Sequence, residues 1–129
     1  MKKEKIIRLT IIILFFIILV ILHIFGTSYF APNSIFINSF LVDILLPCYL
    51  FLLFTINFYS LPQSYIKYKK QIKFLFAIAV FLIGFFIETL QYFGVPILGS
   101  TFDFLDYLMY LLGTLLGVGI DYVIIKLSK

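Results

Sequence analysis

Four long apolar runs divide the chain, near Ile6 to Phe25, Ser39 to Tyr59, Phe74 to Phe93 and Phe102 to Ile125. Each is long enough to cross a hydrocarbon core about 30 Å thick, which takes around 20 helical residues. The apolar character persists around the whole helix, as expected for a segment surrounded by lipid. Turn chemistry fills the gaps: Pro32 and Asn33 fall between the first two runs, Pro62 between the next two, and Pro96 and Gly99 between the last two. The pattern predicts an all-α membrane protein, with four transmembrane helices packed as a small bundle in a single domain spanning residues 1–129. No internal repeat, low-complexity tract or soluble domain interrupts it.

Composition agrees with this class: 64% of the residues are hydrophobic and only 12% are charged, about half the charge of an average soluble domain. The sign of the charges adds an orientation. Lys2, Lys3, Lys5 and Arg8 gather at the start of the first run, Lys67, Lys69, Lys70 and Lys73 between the second and third, and Lys126 and Lys129 at the C-terminus. With four spans all ten basic residues fall on one side, as the retention of short basic loops in the cytoplasm requires. Both termini are therefore expected in the cytoplasm of a bacterial cell, and the bilayer is the first partner. No nucleic-acid partner is expected. The first apolar run exceeds the 7 to 15 residues usual in a signal peptide, so it reads as an uncleaved anchor. The single Cys48 lies within the second run and reads as apolar packing.

The acidic residues carry the functional signal. Asp43, Glu88, Asp103 and Asp106 lie in or beside apolar runs, and an ionisable group in a bilayer usually faces a protein interior or wet cavity and marks function. Helical rise places Glu88 roughly 9 Å below the outer boundary and Asp43 and Asp106 about 6 Å deep. His23 falls at a similar level, and Gln91 and Asp103 slightly shallower, so one outward-facing slab holds polar groups from all four spans. Gly84, Glu88 and Gln91 share a face at i, i+4, i+7 spacing, and Asp103, Asp106, Tyr110, Gly113 and Gly117 form a second stripe. The two glycines are a small-x-x-x-small element on which a neighbouring helix can pack closely. That packing is expected to hold Asp106 near Glu88.

Structural roles compete for some of these residues. Asp103 follows Ser100 at capping-box spacing, and Asp43 follows Asn38 and Ser39 near the start of a run, so both fit helix-capping as well as site roles. Glu88 lies too deep for capping. His23 near an interface has mundane uses, and Asp121, close to Lys126, reads as a solvated interfacial charge. No Lys or Arg lies in the outer half of the spans or in the outer loops. Three ways of neutralising the acids follow: protonation shared among adjacent carboxyls with hydrogen bonds to Gln91, Tyr107, Tyr110 or Asn38, binding of a cationic group, or binding of a metal ion. Hard oxygen donors would suit Mg²⁺ or Ca²⁺, and no cofactor is otherwise evident.

The stretch Glu88-Thr-Leu-Gln91, then Gly99-Ser-Thr-Phe-Asp103-Phe-Leu-Asp106, Tyr110, Gly113 and Gly117, resembles the VanZ-like superfamily of small bacterial membrane proteins. That pattern runs Glu-x-x-Gln, a short outer loop with Arg, Asp-x-x-Asp, an Asn and two packing glycines. Here Ser100 stands at the Arg position and Tyr110 at the Asn position, which is more similar to the branch called domain of unknown function 2809. The resemblance covers mainly the second half of the chain and implies a cell-envelope setting without a mechanism. Three functions fit the residues: an outward-facing carboxylate site that binds or processes a cell-envelope lipid, a lipid-linked group or a cation; a small proton or cation transporter, oligomeric and using Glu88; or a non-catalytic assembly or packing subunit. Paired carboxylates can act as general acid and base, but no nucleophile or metal signature accompanies them, which leaves enzyme status open.

Overall fold

The computed structural model describes residues 2–97 and 102–129. Helix α1 spans Lys2–Phe25, a short turn α2 spans Thr27–Phe30, and α3 spans Ile35–Ile56 and continues as a 3-10 turn to Ser60. A second short turn α4 spans Gln63–Ile66, followed by α5 over Lys69–Tyr92 and α6 over Phe104–Ser128. The four long helices are each apolar and long enough to cross a membrane, so the chain is a multi-pass membrane protein. Its large apolar side chains point outward, as Phe74, Phe86, Leu115 and Leu127 illustrate at 56–67% exposure. In a bilayer that surface meets acyl chains, and the polar groups turn inward.

Local chemistry sets the helix ends. Ser34 caps α3 by accepting from the Ile37 amide at 3.3 Å, so the helix begins four residues earlier than the apolar run suggests. The lysines flanking α1 and α5 are good helix formers, and both helices extend through them. At the far end of α5, Gly94 takes φ 83°, a conformation that favours glycine. Its amide donates to the Gln91 carbonyl and the Val95 amide to the Leu90 carbonyl, both at 2.9 Å, which closes the helix and turns the chain.

Helix α6 packs most extensively on α3, and small residues make this possible. Its buried stripe runs through Asp106, Tyr110, Gly113, Gly117 and Asp121. A Cβ on Gly113 would collide with the Ile44 carbonyl oxygen and come within 2.5 Å of the Pro47 ring, and one on Gly117 would meet Phe51 at 3.1 Å. The expected glycine packing is therefore present, and its partner is α3. Pro47 lies inside α3. Lacking an N–H, it leaves the backbone carbonyl of Asp43 without its helical donor, and its ring forms part of the surface that receives Gly113. Cys48 is fully buried with Ile12, Leu52 and Ile124, in apolar packing as expected.

Candidate functional site

Two polar layers sit inside this apolar frame. The first lies where α3 and α6 begin and α5 ends. Glu88 is 2% exposed and Asp106 7% exposed, while Asp43 is half-buried. The Tyr110 hydroxyl donates to Glu88 Oε1 at 3.4 Å. Asp43 and Asp106 are neighbours of Glu88 and of each other, and Tyr110 lies beside all three. Glu88 Oε2 is buried with no hydrogen-bond partner among the described residues.

The backbone explains why these groups meet. Gly113 and Gly117 seat α6 on α3, which brings Asp106 to Asp43. Gly84 lets α5 approach the Tyr110 ring so closely that an added Cβ would lie 2.6 Å from it, and one helical turn further Glu88 meets the Tyr110 hydroxyl. The two glycine contacts thus converge three helices on one tyrosine. The expected pairing of Glu88 with Asp106 gains a third member, Asp43.

Asp43 lies eight residues inside α3, about 12 Å along its axis, so the capping role considered for it is excluded; Ser34 holds that position. Asp103 does cap: its Oδ1 accepts from the Leu105 amide at 2.9 Å, and its side chain is exposed. Of the predicted hydrogen-bonding partners, only Tyr110 is bonded to an acid. The Gln91 amide donates to the Ile97 carbonyl at 2.8 Å and ties down the turn after α5, Tyr107 pairs with Thr89 at 3.2 Å, and Asn38 donates to the Ala31 carbonyl at 3.0 Å. His23 lies exposed in the last turn of α1. Gly99, Ser100 and Thr101, with the spacing from Ser100 to Asp103, lie outside the described residues.

The second polar layer is at the opposite end. Arg8, only 1% exposed, approaches Asp121 Oδ1 to 2.5 Å and donates from Nη1 to the Thr55 hydroxyl at 2.6 Å and from Nη2 to Glu4 at 3.2 Å. Lys73 pairs with Asp121 Oδ2. Asp121 is 4% exposed, which corrects its reading as a solvated interfacial charge. The sequence does carry a signal for this: Asp121 continues the spacing of Tyr110, Gly113 and Gly117 on the buried face of α6. Its partner Arg8 comes from a helix far away in sequence, which spacing alone does not reveal.

The acidic layer is compact. A space of about 10 Å³ beside Gly84, Pro47 and Tyr110 is lined mainly by apolar side chains and by none of the three acids. Half-buried Asp43 is the layer's most accessible carboxylate. A half-buried carboxylate beside two buried ones can receive a proton or a cationic group. Among the described residues, no set of three or more His, Cys, Asp or Glu side chains is arranged to hold a metal ion. Comparison with protein-family models, curated proteins and solved structures returns no match.

Proposed function

We propose that the chain is a multi-pass protein of a bacterial cytoplasmic membrane, a small bundle with cytoplasmic termini, whose outward-facing acidic layer binds the cationic group of a cell-envelope lipid or lipid-linked molecule. One observation carries this reading: Asp43, Glu88 and Asp106 lie together without an ion-pair partner among the described residues, whereas Asp121, the buried acid near the other end, is paired with Arg8 and Lys73. Glu88 Oε2, buried and without a hydrogen-bond partner among the described residues, is an acceptor free to take one. A buried charge without its counterpart is costly, so a site that keeps three acids together is suited to receive positive charge from outside the chain. The resemblance to VanZ-like proteins fits an envelope setting.

Transport is the runner-up, and the packing disfavours it within one copy. Cys48, Phe51, Leu52 and Val80, each no more than 1% exposed, lie between the two polar layers. A transporter reading would require a pathway between copies. The test is complementation of a deletion strain scored for envelope stress and antibiotic sensitivity. Glu88→Gln and Asp106→Asn are expected to reach the membrane in normal amounts and fail to complement. Full complementation by both would overturn the site reading.

A further inference from the structure

A cavity of about 710 Å³ opens between α5 and α6 at the end opposite the acidic layer. Lys67, Lys69, Lys70 and Lys73 line one part of it, and Val118, Tyr122 and Ile125 another. It adjoins a second space of about 250 Å³, with which it shares Lys70, Lys73, Val118 and Asp121. The second space adds only apolar side chains, Phe51, Phe74 and Ala77, and so leads from the lysines towards the middle of the spans. Together the two form an amphipathic groove, basic at its mouth and apolar deeper in.

The lysines are not all engaged. Lys73 is held by Asp121, and Lys69 reaches Glu4 at 3.8 Å. Lys67 lies over the Tyr68 ring at 4.8 Å, and neither Lys67 nor Lys70 forms an ion pair among the described residues. Asp121, the one acid lining the groove, is already neutralised by Arg8 and Lys73. The mouth therefore carries excess positive charge, while Phe74 and Val118 leave apolar surface at 67% and 40% exposure beneath it. A ligand matching both halves has a compact anion joined to a hydrocarbon chain, and basic pockets between transmembrane helices bind such lipids.

We propose that this groove binds an anionic phospholipid, its phosphate against Lys67 and Lys70 and one acyl chain along Phe74 and Val118. The site is independent of the acidic layer. Binding is read by native mass spectrometry of the full chain in neutral detergent, titrated separately with phosphatidylglycerol and phosphatidylcholine. A lysine near an anionic headgroup contributes about fivefold to affinity, so the Lys67→Gln/Lys70→Gln double variant should lose about 25-fold for phosphatidylglycerol. Phosphatidylcholine affinity should stay within about twofold. Lys2→Gln/Lys3→Gln, which removes charge outside the groove, should leave both within about twofold. Val118→Phe, at an exposed position, should weaken binding with every lysine intact by filling the channel. Equal affinity for the two lipids, or equal losses in the two lysine pairs, would overturn the proposal. So would full displacement of the lipid by equimolar inorganic phosphate, which would show a free anion site rather than a lipid site.

Discussion

The two polar layers pose the same physical problem and meet it differently. Each places carboxylates at buried positions between helices of one chain. Near the basic end, Asp121 has Arg8 and Lys73, and Arg8 in turn has Thr55 and Glu4. At the other end, Asp43, Glu88 and Asp106 have one tyrosine hydroxyl and one another. A compensated network works as a clasp between helices, while an uncompensated one is a liability to stability. The difference separates two roles that composition alone would merge: acids that hold the helices together, and acids that must be held together by the helices.

Substitutions at the clasp should show the largest effects. Arg8→Ala leaves Asp121 with a single partner, and breaking a buried ion pair costs about 3–5 kcal/mol. Steric-trap or denaturant unfolding in detergent should register that loss, and Asp121→Asn should register a smaller one because Arg8 retains Glu4 and Thr55. A stability change below about 1 kcal/mol for Arg8→Ala would remove the clasp from the account.

The glycine seat beneath the acidic layer comes next. Gly113→Ala drives a methyl group into the Ile44 carbonyl and the Pro47 ring, and overpacking of this kind costs about 1–3 kcal/mol. Gly119, where an added Cβ meets nothing within 4 Å, is the internal control: Gly119→Ala should be neutral or gain up to about 1 kcal/mol from helix propensity. Both are read from the same unfolding curves. Equal responses would show that α6 does not depend on its contact with α3.

Smallest in stability, and most telling for the comparison, are the acids themselves. Glu88→Gln keeps the shape of the side chain, retains an acceptor for Tyr110 and removes a charge with no cationic partner. It should change stability by less than about 1 kcal/mol, in the stabilising direction. A loss of several kcal/mol would make Glu88 part of a structural network like that of Asp121.

Much of the architecture was legible in the sequence because hydrophobic length and turn residues act locally. The four spans follow from them, whereas Asp103, expected three residues after a cap at Ser100, is itself the cap of α6. The glycines of α6 announced a close helix contact, though their spacing could not say that α3 would supply the surface or that Pro47 would shape it. Periodicity grouped Glu88 with Gln91, yet Gln91 sits in the last turn of α5, where its amide meets the Ile97 carbonyl of the turn that follows. Asp43 looked terminal because the apolar run starts late, whereas Ser34 starts the helix a turn earlier. The Arg8 network was least legible. A basic residue near a span end reads as an orientation signal, and only the packing of α1 against α6 turns it inward.

The central claim is that the acidic layer awaits a cation from outside the chain. Its most direct test is the thermal unfolding midpoint of the wild type and of Glu88→Gln/Asp106→Asn in neutral detergent, each with and without a long-chain primary alkylammonium amphiphile. The account predicts that the amphiphile raises the wild-type midpoint and leaves the double variant unchanged. An equal shift in both proteins, or no shift in the wild type, would contradict it.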